Sequence, residues 1–240
     1  MTTDMHHCSE FCIDMPNEFP EPELVAYMAF ARSVLLDNDY KDAWNEFAGA
    51  SNLLVWRYRA CWEDWHFYRA SLEARRNAQS HEEKYQRERA LFGMFTAGVS
   101  CIETAVYSVA ALASHPRVLA MPFGEQRKYK CSPSRLLDWL RPFERAGQLR
   151  ATLQALVDAQ EWKTWVDLRN RMSHRSNLPD IIKVWIGSPE PEDVKPISFA
   201  ATSSTLAIDA DISEFDHLHH WLTSTLATLL AAGVTLGKAP

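Results

Sequence analysis

Hydrophobic residues recur at intervals of three and four positions over most of the chain, a spacing typical of amphipathic helices. It predicts helices over residues of about 21–36, 39–76, 81–113, 134–140, 147–173 and 213–234. The second and third helices are long and only a short polar break separates them, so we expect them to form an antiparallel pair. A mainly α protein built as a helical bundle is therefore predicted.

Two segments depart from helical spacing. Residues 1–20 contain prolines among mixed polar groups, and we expect a flexible N-terminal lead-in there. Residues 181–186 form a β-branched run and residues 197–209 offer further strands, so a small β-hairpin is predicted near the C-terminal helix, at about 181–209. The chain is thus interpreted as a single helical domain of residues 21–240 that carries this hairpin as an insertion.

The composition is that of a folded globular protein. Hydrophobic residues make up 47% and charged residues 23%, which excludes a largely disordered chain. The apolar stretch 96–113 contains Glu103 and is short for a membrane span, so a buried bundle helix and no membrane partner are expected. Five cysteines without framework spacing indicate reduced thiols, and the N-terminal residues lack the apolar core of a signal peptide. We expect a cytoplasmic protein.

The charge is unevenly distributed along the chain. The net charge of the whole chain is −6, which by itself disfavours a nucleic-acid-binding protein. Residues 125–183, however, hold twelve Lys or Arg and seven Asp or Glu, a net charge of +5, so the remainder carries −11. A basic middle segment in an acidic protein fits a local anion site, and equally a chance run of surface charge.

Motifs for nucleotide-dependent and zinc-dependent chemistry are absent from the sequence. It contains no Walker A loop and no GxGxxG, HExxH, GxSxG or paired CxxC motif. Residues 6–12 hold two His and two Cys without a zinc-module spacing, and they are interpreted as a tail. His217 and His220 share a helix face and leave a bridging metal as a weaker alternative. We expect no metal and no cofactor.

One constellation remains, Arg169-Asn170-x-x-x-His174, which ends an apolar helix inside the basic segment. The string alone is not specific, because Arg76 and His81 stand at the same spacing. That second copy lies at a polar break, whereas the first follows the apolar turns of a helix expected to be packed. Since a site is best preorganised on a rigid element, the first copy is the candidate.

This segment resembles the R-x(4–6)-H signature of HEPN domains, in which a polar residue commonly follows the arginine. The resemblance implies a helical bundle over about residues 82–178 and the final helix, with Glu103 on an earlier apolar helix beside Arg169. It also implies that two chains dimerise with their motifs facing each other. One departure matters: the toxin branch of the family has Tyr two positions after the His, where this chain has Ser176.

Helix geometry and acid–base chemistry both fit a site shared by two chains. Positions 169 and 174 point about 140° apart on a straight helix at ~100° per residue, so their side chains diverge unless the helix ends or distorts. Cleavage of RNA by its own 2′-OH needs one base and one acid. One chain offers one motif histidine, with an ordinary pKa of about 6.5 that suits both roles, and a two-fold dimer offers two.

These considerations assign a role to each candidate residue. Arg169 is expected to stabilise charge on the phosphorane, Asn170 to orient the phosphate or the histidine, and His174 to transfer protons. Glu103 is expected to position Arg169. Contacts with the RNA backbone are expected from Arg171, Arg175 and Lys163.

The predicted function is a metal-independent endoribonuclease of toxin or phage-defence type, acting on RNA as a homodimer, with a cognate antitoxin or regulatory protein as a candidate partner. The alternative is a non-catalytic HEPN-like module that binds RNA, a nucleotide or a protein. In that case Arg169 and Glu103 form an ordinary interhelical ion pair. His174 is then a polar residue at a helix C-terminus, where the helix dipole favours it.

Overall fold

The structure is a computed structural model that describes residues 4–36, 41–73, 80–174, 180–181, 198–200, 209–210 and 212–236. Most of these residues are helical, so the prediction of a mainly α protein is confirmed. The helices are α1 (Glu21–Leu35), α2 (Lys41–Glu73), α3 (His81–Ser114), α4 (Glu125–Lys128), α5 (Pro133–Leu140), α6 (Gly147–Asp158), α7 (Gln160–His174) and α8 (Ile212–Thr235). A 3-10 turn, Glu144–Ala146, leads into α6.

Helix α3 forms the centre of the bundle, and α2 packs along it as the predicted antiparallel partner. The first turn of α3 is held by Ser80 and Glu83. The side chain of each residue accepts a hydrogen bond from the backbone N–H of the other. From Ala90 onward most of its residues are buried. The apolar second half of this helix, which includes Glu103, is therefore the surface on which the other helices assemble.

Helices α1 and α8 pack together and cover another side of α3. Tyr27 of α1 illustrates the contact: its hydroxyl group lies 3.2 Å from the Ser108 hydroxyl of α3. A Cβ atom added at Gly233 of α8 would lie only 2.6 Å from Cε2 of the Tyr27 ring. A side chain at position 233 would push these two helices apart, so glycine permits their close packing.

The predicted helix over 147–173 is two helices rather than one. Ala159 has an extended conformation (φ −59°, ψ 134°) that ends α6, and α7 begins at the next residue. No glycine or proline marks this break in the sequence. Because both helices bury apolar side chains, the hydrophobic spacing continues across a bend that it does not reveal.

The N-terminal residues correct the expectation of a flexible lead-in. Strand β1 (Met5–Cys8) pairs antiparallel with β2 (Ile13–Pro16) in a register that joins Met5 to Pro16 and Cys8 to Ile13. Cys8, Met15 and Phe19 are buried in the main core. This hairpin, which the sequence did not predict, belongs to the folded domain.

The predicted insertion also contains β-structure, although the structure describes little of it. Three short strands, β3 (Asp180–Ile181), β4 (Ser198–Ala200) and β5 (Asp209–Ala210), pair antiparallel in that order. The rest of the predicted hairpin lies outside the described residues. The insertion therefore carries strands in addition to the unexpected N-terminal pair.

Helix α3 is long and apolar enough to cross a membrane by length and composition alone. In the most apolar window of this helix, 72% of the residues are buried inside the protein. That burial fits the core helix of a soluble protein, in agreement with the interpretation of residues 96–113 as part of the bundle.

Candidate active site at the junction of α3 and α7

Trp165 anchors the motif-bearing helix α7 to the bundle. Its indole ring is buried, with its centroid 5.1 Å from that of Phe95 on α3 in an edge-on arrangement. Its Nε1–H donates a hydrogen bond to the backbone carbonyl of Leu218 on α8, at 3.3 Å. One turn later, Leu168 is also buried. The turns of α7 that precede the motif are thus fixed against both α3 and α8.

Arg169 and Glu103 meet across the α3–α7 junction, as expected from the sequence. Arg169 Nη2 lies 4.0 Å from Glu103 Oε1, and the two side chains are 28% and 37% exposed. Arg169 Nε is buried and has no hydrogen-bond partner among the described residues. The guanidinium group is held near a carboxylate without being saturated by it.

Burial disfavours the ionised form of the Glu103 carboxyl group. Partial burial raises the pKa of this carboxyl above its usual range, while the positive charges of Arg169 and Arg57 act in the opposite direction. Burial is the largest of these influences. Glu103 therefore becomes protonated at a higher pH than an exposed glutamate would.

The remaining motif residues lie at the C-terminal end of α7. His174 is the last residue of the helix, and its side chain lies outside the described part of the structure. Asn170 is half-buried, next to Arg169. Arg175 lies outside the described residues. The structure therefore places the arginine and the acidic residue of the predicted site, together with the backbone that carries the histidine.

Arg171 occupies a different environment from the one expected. It is 5% exposed, and its Nε lies 2.5 Å from Asp167 Oδ2 one turn earlier on α7. A buried arginine cannot contact an RNA backbone at the surface, so the structure corrects this prediction. Lys163 is exposed, and its ammonium group donates a hydrogen bond to the backbone carbonyl of Asp158 at 2.9 Å.

Arg57 on α2 is a neighbour of the site that sequence reasoning missed, and it lines a cleft together with Glu103. Its Nη1 donates hydrogen bonds to the Ser100 carbonyl, at 3.2 Å, and to the Thr104 hydroxyl. Nothing in the aromatic-rich sequence of α2 distinguishes Arg57 from the other charged residues of that helix. Its role depends on the antiparallel pairing of α2 with α3, which brings position 57 beside positions 100 and 104.

A cleft of about 460 Å³ opens between α2 and α3 on the Arg57 side of Glu103. Its lining combines an apolar floor with charged and polar side chains at its ends. The lining residues are Asn45, Glu46, Gly49, Ala50, Leu53, Arg57, Glu103, Thr104, Tyr107 and Cys131. Glu103 thus belongs both to the ion pair with Arg169 and to the wall of this cleft.

The far end of the cleft is organised around Glu46. One oxygen of this carboxylate accepts a hydrogen bond from the Tyr107 hydroxyl at 2.5 Å, and the other accepts one from the Lys128 ammonium at 2.7 Å. Both bonds lower the pKa of Glu46. Partial burial and the neighbouring carboxylate raise the pKa of Tyr107, so its hydroxyl stays protonated. The charge of Glu46 is therefore already compensated within the protein.

The histidines considered as metal ligands have other contacts. His217 lies 3.2 Å from a carboxylate oxygen of Glu161, and His220 Nδ1 lies 2.7 Å from the Asp216 carbonyl. At the N-terminus, His7 pairs with Asp14 at 3.0 Å. Within the ranges that the structure describes, no group of three or more His, Cys, Asp or Glu side chains could hold a metal ion.

Comparisons of this chain with models of protein families, with curated proteins and with solved structures found no match. The resemblance to HEPN domains therefore remains a prediction, carried by the arginine–histidine motif and by the approach of Glu103 to Arg169.

Proposed function

We propose that the protein is a metal-independent endoribonuclease that cleaves RNA through attack by the 2′-OH group, with Arg169 and His174 as catalytic residues. The observation that carries the proposal is the arrangement of Arg169. Its Nη2 is 4.0 Å from Glu103 Oε1, beyond hydrogen-bond distance, and its side chain is 28% exposed. An arginine oriented in this way retains donors for a phosphate group.

The chemistry assigned to the site follows from these groups. The scissile phosphate gains negative charge as the 2′-oxygen attacks, and the planar guanidinium of Arg169 stabilises that charge with two parallel hydrogen bonds. Glu103 orients the guanidinium from behind. Its separation of 4.0 Å from Arg169 Nη2 exceeds hydrogen-bond distance, so the guanidinium keeps donors that a phosphate can use.

Proton transfer in this proposal requires two histidines. One His174 accepts the proton of the 2′-OH, and a second donates a proton to the departing 5′-oxygen. The two are supplied by two copies of the chain related by a two-fold axis, with the C-terminal ends of their α7 helices facing each other. The products are a 2′,3′-cyclic phosphate and a free 5′-hydroxyl. The protein acts in the cytoplasm, as a toxin or defence nuclease controlled by an antitoxin or regulatory protein.

The test is RNA cleavage by the purified protein in EDTA, with identification of the RNA ends. We expect 2′,3′-cyclic phosphate ends from the wild type and a loss of at least about 100-fold in rate for His174→Ala, the lower end of typical general acid–base contributions. His217→Ala is the matched control, because it removes an exposed histidine that pairs with Glu161 rather than with a residue of the motif. Equal cleavage by His174→Ala and wild type would rule out the proposed mechanism.

A specific observation favours a second candidate function, that of a non-catalytic module that binds a protein or RNA. Large hydrophobic side chains are exposed along the α2–α3 pair: Trp56, Phe67, Tyr85 and Phe92. Exposed aromatic residues are common in binding surfaces. RNA binding that weakens with salt, without cleavage, would support an RNA-binding module. Absence of RNA binding at low salt would leave a protein partner.

A further inference from the structure

The cleft between α2 and α3 has the size and lining of a small-molecule site. Its volume of about 460 Å³ falls within the ~300–1,000 Å³ of typical ligand pockets. Gly49, Ala50 and Leu53 form an apolar floor, and Leu53 is 40% exposed. A Cβ atom added at Gly49 would meet nothing within 4 Å, so the space above this glycine is open.

Arg57 places hydrogen-bond donors in this cleft. Among the described residues it donates hydrogen bonds to the neutral oxygens of Ser100 and Thr104, both through Nη1. No carboxylate of the described residues lies within ion-pair distance of it. The other nitrogen atoms of the guanidinium therefore remain for a ligand with acceptor atoms.

Glu103 places hydrogen-bond acceptors beside those donors. Both residues line the cleft, and Arg57 bonds to Ser100 and Thr104, which lie on either side of Glu103 along α3. The other carboxylate of the cleft, Glu46, is already bound by Tyr107 and Lys128. The polar contacts offered to a ligand are thus a guanidinium and a carboxylate side by side above an apolar floor.

We propose that this cleft binds a guanine base. Guanine is a flat ring system whose O6 and N7 accept from an arginine. Its N1–H, next to O6, and its 2-amino group, next to N1–H, are donors. A carboxylate can accept hydrogen bonds from both. Arg57 donates to O6 and N7, Glu103 accepts from N1–H and the amino group, and the ring lies on Ala50 and Leu53. Adenine has an amino donor in the place of O6, which would face the donors of Arg57.

The position of the cleft indicates the source of the guanine. Glu103 lines the cleft and also lies 4.0 Å from Arg169, so a base in the cleft and a phosphate at Arg169 would share Glu103 as a neighbour. An unstacked guanine of single-stranded RNA meets this geometry, and unstacked bases are the usual targets of sequence-specific RNA recognition. As a substrate subsite the cleft rests on the proposed ribonuclease function.

The first experiment measures calorimetric binding of GMP, AMP, CMP and UMP to the full-length protein. We expect GMP to bind at least about tenfold more tightly than the others, as for one good bidentate pair. Gly49→Leu fills the open space and should abolish this binding. Gly147→Leu is the matched control, since Gly147 also has nothing within 4 Å but lies at the start of α6, outside the cleft. Equal affinity for the four nucleotides, or unchanged GMP binding by Gly49→Leu, would overturn the proposal.

Arg57→Met tests the assigned contact by keeping an unbranched apolar stem while removing the guanidinium donors. We expect it to lose the preference for GMP over AMP. Its thermal unfolding is measured in parallel, because Arg57 also bonds to Ser100 and Thr104. A folded Arg57→Met protein that still prefers GMP tenfold would contradict the role of Arg57.

A second experiment separates this proposal from the ribonuclease proposal. A guanine-containing single-stranded RNA, with non-cleavable 2′-O-methyl sugars, is tested for competition with GMP. Competition supports an RNA subsite, whereas GMP binding without competition assigns the cleft to a free nucleotide and overturns the RNA source. Selective GMP binding by a protein that cleaves no RNA would support the guanine site and refute the nuclease. RNA cleavage without selective GMP binding would do the reverse.

Discussion

Gly98 lies directly beneath the indole ring of Trp165, where α3 and α7 cross. A Cβ atom at position 98 would come within 2.5 Å of Trp165 Cζ3 and 2.7 Å of Cη2, closer than real Cβ contacts. The absence of a side chain at Gly98 therefore sets how near α7 can approach α3. Since Glu103 and Arg169 lie one turn farther along these two helices, the same contact sets the distance between them.

Gly98→Ala is expected to destabilise the protein by about 1–3 kcal/mol, because the added methyl group must displace a buried tryptophan. Gly49→Ala is the control: it is the same substitution within a helix, at a position with open space, and should gain about 0.5–1 kcal/mol. Urea unfolding of both variants gives the comparison. A Gly98→Ala protein as stable as the wild type would show that the α3–α7 contact is looser than described.

Glu103→Gln should separate function from stability. The ion pair with Arg169 is long and both side chains are about a third exposed, so its loss should change the free energy of unfolding by no more than about 1 kcal/mol. The orientation of Arg169 should suffer more, and we expect slower RNA cleavage together with weaker GMP binding, because Glu103 also lines the cleft proposed for guanine. Rates, affinities and unfolding curves measured in one buffer test this. Wild-type cleavage by Glu103→Gln would remove the positioning role.

Arg171 is expected to act through the stability of α7 rather than by binding RNA. Arg171→Ala removes the buried partner of Asp167 and should cost about 1–3 kcal/mol, because the carboxylate is left without its closest charge. Lys163→Ala removes an exposed cation on the same helix and should leave the unfolding free energy unchanged within about 0.5 kcal/mol. If the two variants were equally stable, the burial of Arg171 would have little energetic consequence.

His219 lies in the interior between the N-terminal segment and helices α2 and α8. It is 3% exposed, and its Nδ1 is 3.3 Å from a carboxylate oxygen of Glu18. Burial, together with His66 and His220, lowers the pKa of His219 to about 4. Burial also raises the pKa of Glu18, while the same two histidines oppose that rise. His219 is therefore neutral in the folded protein at neutral pH.

This burial predicts a loss of stability in mild acid. Between pH 6.5 and about 4, the unfolded chain binds a proton at His219 that the folded protein does not, so the unfolding free energy falls as the pH falls. The full loss is at most about 3 kcal/mol. The raised pKa of Glu18 acts in the opposite sense over part of this range, so the comparison is made between wild type and His219→Gln.

The wild type should lose more stability than His219→Gln between pH 7 and pH 5 in urea unfolding. His217→Gln, which removes an exposed histidine, should follow the wild type within about 0.5 kcal/mol. Parallel pH profiles for wild type and His219→Gln would mean that His219 titrates normally in the folded protein.

The local pattern was sufficient for several helices, and the resemblance to HEPN domains predicted one contact of the site. Hydrophobic spacing located α1, α2, α3 and α8, because the period of an amphipathic helix is a property of consecutive residues. The pairing of Glu103 with Arg169 was also expected, from the HEPN-like motif together with a lone acid on an apolar helix. The roles of Asn170 and His174, the dimer and the RNA substrate stay predictions.

Other features depend on contacts between residues far apart in the sequence. The N-terminal hairpin is ordered because Cys8, Met15 and Phe19 enter the common core, although their own segment resembles a loose tail. Arg171 is buried because its side of α7 faces the bundle, which residue type alone does not reveal. Gly98 and Arg57 acquire their roles only when α7 and α2 pack on α3. Helical periodicity is local and can be read along the chain, whereas burial, close approach and the shape of the cleft arise only from packing.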